Sequence, residues 1–168
     1  MIIKLSSKDE TTIYNIINVA AGVYNGVIPD DCYHVPYMSE EELQHEMKNM
    51  TFFGWQESGK LVGVVGLQPT KGVPLIRHAY ILPDYQRRGI GSSLLDHIRK
   101  MTKTKHLLVG TWADATWAIN FYKKHGFKLM PDKDELLQKY WEISRRQVEA
   151  SVVLAIELKI TSHLGKGP

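Results

Sequence analysis

Tyr80-Ile-Leu-Pro-Asp-Tyr-Gln-Arg-Arg-Gly-Ile-Gly-Ser-Ser-Leu-Leu95 is the stretch on which the reading of this chain turns. An apolar strand, Val73 to Leu82, stops at Pro83. Ile90, Leu94, Leu95, Ile98 and Met101 then fall on one face of a helix that starts near Gly89. The first amides of a helix have no internal partner, and aligned peptide dipoles make that end positive. Close approach of backbone to an anion requires that side chains be absent, and glycine meets that need. Gly89, Gly91 and the amides of Arg87, Arg88, Ile90 and Ser92 can therefore wrap a di- or polyphosphate, with two arginines adding charge. The plain alternative is a glycine pair that only turns a corner. A Walker A string is missing from the sequence, and Leu94 stands where a dinucleotide fingerprint needs its third glycine.

Working outward, residues 2–5 read as a first strand, and Ser6 or Ser7 caps a helix whose Ile13, Ile16, Ile17 and Ala20 carry it to about Tyr24. Gly26 and Pro29 break that helix; Ser39 with Glu42 opens a short one through Leu43 and Met47. Thr51 to Gln56 and Leu61 to Gln68 form a hairpin around Ser58-Gly59. Past the glycine turn, a strand over His106 to Trp112 precedes a helix from about Asp114 to His125, closed by Gly126. Phe127 to Met130 reads as a strand, Lys133 to Trp141 as a helix, and Val148 to Leu158 as a buried strand. The class is α/β, a mixed, mostly antiparallel sheet of six to seven strands flanked by helices. Residues 1–158 form one domain and 159–168 a tail.

Composition narrows the function classes. The 168 residues are 43% apolar and 23% charged, an ordinary globular balance. A net charge of +3 is too small for a general nucleic-acid coat. A single cysteine, Cys32, excludes an intrachain disulfide or thiolate zinc site, fits a reducing cytoplasm, and reads as a surface thiol. The longest apolar run, Leu61 to Leu67, is far short of the roughly 20 residues of a membrane span. The opening MIIKLSSKDE has no apolar h-region, so no signal peptide is expected. The histidines, His45 beside Glu46 among them, are too scattered for a metal site. Neither nucleic acid nor membrane is expected as a partner. The apolar Val152 to Ile156 reads either as an edge strand able to pair with a second copy or as a covered core strand, leaving monomer and homodimer open.

Gln86-x-x-Gly89-x-Gly91 after a strand ending in Pro-Asp-Tyr resembles the acyl-CoA pyrophosphate loop of the GNAT superfamily of N-acetyltransferases. Ala118-Ile-Asn-Phe-Tyr-Lys-Lys-His-Gly-Phe127 is similar to that family's downstream helix motif, in the right order. The resemblance covers roughly residues 1–158 and implies the acyl-CoA N-acyltransferase fold, acetyl-CoA as co-substrate and no metal. It implies contacts to the cofactor from Ile81, Leu82, Arg87, Arg88, Gly89, Ile90, Gly91, Ser92, Asn120 and Lys124. One departure stands out: many relatives carry an asparagine where this chain has Ala115.

Acetyl transfer needs an amine freed of its proton, donors for the tetrahedral oxyanion and a proton for the departing thiolate. By resemblance Tyr122 is the acid, since a phenol is protonated at neutral pH; packing against Ala118 and Trp117 is its structural alternative. His78 is a candidate base on the strand before the turn, facing opposite to Arg77 and Ala79, with a structural histidine or a water relay to a carboxylate as alternatives. Tyr24, Asp30, Asp31 and Tyr33 lie where the family builds its acceptor site, and acids among aromatics suit an ammonium. That segment and the chain's size resemble the PaiA-type polyamine acetyltransferases, implying a small amine such as spermidine or spermine. Protein lysine or N-terminal amines, and a non-catalytic CoA-binding regulator, are the alternatives.

Overall fold

The computed structural model describes residues 1–159. These run β1 (Ile2–Lys4), α1 (Glu10–Ala20), α2 (Glu40–Met47), β2 (Thr51–Glu57), β3 (Lys60–Gln68), β4 (Leu75–Ile81), α3 (Ile90–Met101) and β5 (His106–Trp112). There follow α4 (Thr116–Lys124), β6 (Lys128–Leu129), α5 (Lys133–Tyr140), α6 (Arg145–Glu149) and β7 (Ser151–Glu157). The strands form one sheet of seven, in the order β1-β2-β3-β4-β5-β7-β6. Every neighbouring pair is antiparallel except β4 and β5, as the mixed α/β reading expects. A parallel pair needs a long crossover, and α3 supplies it.

Alternation along the strands splits the core between two faces. Phe53, Val65, Ile76, Leu107, Val109, Leu154 and Ile156 pack under Ile90, Leu94, Leu95 and Ile98 of α3 and Tyr122 of α4. On the other face Phe52 and Val64 meet Ile13, Ile16 and Ile17 of α1 and Leu43 of α2. Farther along that face, Leu75, Leu108 and Val153 lie under Leu137, Trp141 and Val148 of the α5–α6 segment. The loop after α1 is tied down by Asn18, whose side chain donates to the Met38 carbonyl at 3.0 Å and accepts its amide at 2.9 Å.

Two expectations change, and one open alternative is decided. Val148 belongs to α6 rather than to a strand, because Ser144 and Gln147 form a capping box that starts a helix there. β7 lies between β5 and β6 and is no edge strand; its continuous apolar run fits a strand covered on both faces. Cys32 is buried beside Tyr24 and Trp112, not a surface thiol, and burial followed by the Asp31 carboxylate pushes its thiol pKa up. The tail lies outside the described residues from 160 onward. No helix among the described residues is long and apolar enough to cross a membrane.

Candidate active site

The sheet comes apart at one place. β4 and β5 are paired only through Leu75 with Leu108 and Ile76 with Val109. Just beyond, the β3–β4 register shifts between Val64 and Gly66, so that His78 and Ala79 together oppose one residue of β3. His78 takes the left-handed φ of +52° that lets the strand bulge there. A bulge sharpens the local bend and twist of a strand. From it onward, β4 and β5 share no backbone ladder among the described residues.

The bulge also re-aims side chains. Strict alternation places His78 opposite Arg77; the extra residue puts both on the α2 face, which corrects the sequence expectation. There Arg77 Nη2 donates to Glu46 Oε1 at 3.0 Å, while His78 Nε2 faces Glu46 Oε2. Burial alone pushes the Glu46 carboxyl up, but His78, Arg77 and His45 outweigh it and hold it below its ordinary value. The same turn of the strand carries Tyr80 toward Tyr24 and Tyr37, with ring centroids 6.4 and 6.5 Å away. Trp112 Nε1 donates to the Tyr37 hydroxyl at 2.8 Å. Burial raises the phenol pKa of Tyr24, Tyr37 and Tyr80, so all three stay protonated.

These groups border a cavity of about 220 Å³ over the parted strands. One bank comes from Tyr24, Cys32, Tyr37, Glu42 and Glu46, the other from Trp141, Glu142, Ile143 and Gln147. Just outside the lining, beside Cys32 of one bank and Gln147 of the other, Arg146 Nε and Nη2 donate to the two Asp31 oxygens at 2.7 and 3.1 Å and so tie the two segments together. That pairing holds the Asp31 carboxyl below its usual range.

On the opposite face lies the glycine turn. Gly89 caps α3 with a φ of +81°, and Arg87 takes +63°. Gly89 O accepts from Ser93 N at 3.0 Å, but no side chain caps the amides that precede it. Arg87 and Arg88 on the turn, and Asn120 and Lys124 on α4, are exposed. Arg88 lies over the Tyr85 ring at 5.0 Å and 3.7 Å from Glu57. Ser92 Oγ lies 3.1 Å from His125 Nε2. The Ile90 side chain is in the core, so at the turn only its backbone is presented. Gln86 folds back to donate to the Ile81 carbonyl at 3.1 Å, which bridges the turn.

Not every expected residue fits its place. The Leu82 amide already donates to Val62 O at 2.9 Å, while its carbonyl accepts from Tyr85 and keeps a second lone pair. Asp31 is committed to Arg146 instead of an ammonium, and Arg146 is correspondingly more than a solvated surface charge. Tyr24 lines the cavity, whereas Asp30, Asp31 and Tyr33 lie outside its lining. Tyr122 is buried against Phe121 and Phe127, at 5.2 and 5.4 Å, while Trp117 stacks on Tyr24 instead. Burial and the nearby Tyr24 phenol keep Tyr122 protonated. Ala115 is completely buried in one cluster with Trp112 and Tyr24. Glu46, Tyr37, Tyr80 and the α5–α6 bank escaped the sequence reading. Only Tyr80 had a local signal, lying on the strand that leads into the turn.

Residues 48–129 match the sequence profile of the acetyltransferase (GNAT) domain. Over 76 residues the chain is 30% identical to the peptidyl-lysine N-acetyltransferase YiaC of Escherichia coli, covering 45% of this chain and 49% of that protein. The chain therefore spans about half the length of that curated relative. In fold it is similar to the PaiA N-acetyltransferase of Thermoplasma acidophilum in complex with coenzyme A, at a TM-score of 0.72 and 19% identity over 94% of this chain and 98% of that one. A GNAT-family acetyltransferase from Staphylococcus aureus Mu50 superposes at a TM-score of 0.73 with 18% identity, covering 95% and 99% of the two chains.

Proposed function

With residues 48–129 a GNAT acetyltransferase domain, we propose that this chain transfers the acetyl group of acetyl-CoA to the primary amine of a small acceptor, residues 1–158 acting as one domain. The observation that carries the reading is the parting of β4 from β5 after Ile76 and Val109, between the glycine turn on one side and the cavity on the other. A thioester laid in that gap has its diphosphate at the uncapped amides of the α3 N-terminus and its acyl carbon toward the cavity. Gly89 in the left-handed region, the free amides and the cations of Arg87, Arg88 and Lys124 suit a diphosphate.

The chemistry assigned to the chain's residues is direct transfer. His78 accepts the proton of the bound ammonium group, and the amine nitrogen then forms a bond to the acetyl carbon. As the carbon–sulfur bond breaks, the Tyr122 hydroxyl gives its proton to the departing thiolate, and the second proton leaving the acetylated nitrogen restores the phenol, yielding the N-acetyl amine and free CoA. A phenol kept protonated by burial suits an acid in that position.

The acceptor is a small cationic amine, of which a polyamine is the best-fitting class. The cavity's 220 Å³ falls below the roughly 300–1,000 Å³ of drug-sized sites, and Glu42, Tyr24, Tyr37 and Tyr80 give it carboxylate and ring faces. The Asp31–Arg146 bridge across the rim favours a free amine over one carried on a folded protein. A second reading, a peptide lysine, is favoured by the likeness to the peptidyl-lysine enzyme YiaC.

Calorimetry with CoA, followed by thiol release from acetyl-CoA with spermidine, spermine, a lysine peptide and a peptide N-terminus, tests both readings. CoA binding with turnover of the polyamines is expected. Exclusive turnover of the lysine peptide would transfer the assignment to the second reading. Binding of CoA without turnover of any amine would leave a CoA-responsive regulator, and no heat with CoA would overturn the proposal altogether.

A further inference from the structure

Arg77, His78 and Glu46 bring three ionisable side chains together beneath the cavity, with side-chain exposures of 17%, 12% and 14%. Groups so removed from water are costly unless paired. Each oxygen of Glu46 has a single assignment: Oε1 accepts from Arg77, and Oε2 faces His78 Nε2. Neither Oε2 nor Nε2 has any other hydrogen-bond partner. Arg77 is itself held by Gln68, to which Nη1 donates at 2.8 Å. The imidazole lies flat against the Phe52 ring, at 6.2 Å and an interplanar angle of 16°. The residue carrying it is a non-glycine in the left-handed region at a bulge, a conformation that persists only where its surroundings impose it and that concentrates at functional sites.

We infer that Glu46 is a positioning residue for His78, the two acting as one unit that takes the proton from the acceptor's ammonium group. This inference rests on the acetyl-transfer reading above. A carboxylate at Nε2 selects the tautomer with the proton on that nitrogen and leaves the lone pair on Nδ1, the ring atom without a protein partner. Proton uptake at Nδ1 turns the ring into an imidazolium, which the facing carboxylate stabilises. Arg77, on the far oxygen, keeps the carboxylate ionised and fixes its orientation. The other charged or titratable groups bordering the same cavity are Tyr24, Cys32, His34 and Tyr37 from the segment after α1, Glu42 on α2, Tyr80 on β4 and Glu142 between α5 and α6, with His45 of α2 also acting on Glu46. The same cluster read as a mere clamp between α2 and β4 predicts a loss of stability with no change in how rate responds to pH.

Rate–pH profiles of the full chain with acetyl-CoA and spermidine, or the lysine peptide if that is the acceptor, separate the two. Glu46→Gln is expected to lower kcat by about 100-fold, the lower end of general-base contributions, with the KM for acetyl-CoA unchanged. It is also expected to move the acid limb of kcat/KM to lower pH, because the imidazolium loses its counter-charge. Glu46→Asp, which retains charge and fold, should recover part of the rate, and Glu46→Gln/His78→Asn should be no slower than His78→Asn alone. An active wild type whose Glu46→Gln and Glu46→Asp variants melt lower but keep the rate and the acid limb would overturn the positioning role alone. A wild type that turns over no amine would instead remove the acetyl-transfer reading and this inference with it.

Discussion

On the α3–α4 face the proposed cofactor grip is made from backbone, a dozen or so consecutive residues ending in the first turn of α3. On the other face the cavity is made from side chains drawn from positions as distant as Tyr24 and Ser151. The first needs only a left-handed glycine and uncapped amides, so its chemistry is nearly independent of side-chain identity. The second depends on a strand bulge, an aromatic cluster and a two-helix segment arriving together. The profile match follows the same division: residues 48–129 include the glycine turn and α4 but neither the loop after α1 nor α5 and α6. Cofactor chemistry can thus be shared widely across a fold while the acceptor side is rebuilt around it.

Substitutions can break this contrast, and the largest effect is expected at the turn. Gly89→Val forces a β-branched residue into a φ of +81°, at about 1–3 kcal/mol of strain, so calorimetry should show CoA affinity falling roughly 10- to 100-fold. Gly91→Ala is its control. A Cβ there meets Phe121 at an ordinary 3.6 Å, so the fold is undisturbed and any loss of CoA affinity reports bulk at the diphosphate alone, expected to be the smaller effect. Equal losses at both positions would mean that bulk, not backbone conformation, governs the turn. Next in size, Tyr122→Phe should cut kcat about tenfold or more while leaving CoA affinity in place; unchanged turnover would remove its role as acid.

At the rim the expected effects are smaller and depend on salt. Arg146→Glu opposes Asp31 and should raise the acceptor KM several-fold, with Asp31→Arg/Arg146→Glu restoring it. Because both side chains are exposed, added salt should weaken the wild-type bridge and narrow the difference. If the rim variant instead accelerates acetylation of the lysine peptide, the bridge is what excludes larger acceptors. The smallest effect concerns acid stability. Glu46 has a folded-state pKa below its unfolded value, so its stabilisation is complete above the usual carboxylate range, about pH 4.3, and is lost as pH falls through the lower folded value. Chemical denaturation of Glu46→Gln between neutral pH and pH 3 should show a shallower acid decline than the wild type.

What was legible in the sequence divides along the same line. Ile90, Leu94, Leu95 and Ile98 repeat with the helical period, and Gly126 closes α4 at a φ of +93°, so local pattern and final structure agree. The start of α6 was also written locally, in the Ser144–Gln147 capping box, but the apolar alternation from Val148 onward outweighed it. The bulge at His78 had no such mark. A strand's alternation presumes an unbroken ladder, and the extra residue appears only when β4 must pair with β3 while diverging from β5. Arg146 and Asp31 lie 115 residues apart, and nothing in either neighbourhood announces the other.

The rims of the sheet have a consequence of their own. The outermost strands are the three residues of β1 and the two of β6, while the long apolar β7 is enclosed between β5 and β6. Hairpins of foreign backbone need a run of open amides and carbonyls to zip onto, and rims this brief offer few. Crowded copies of this chain are thereby discouraged from stacking strand to strand into fibrils, and the exposed Lys4 and Lys128 on those two rims add a like charge to the short geometry.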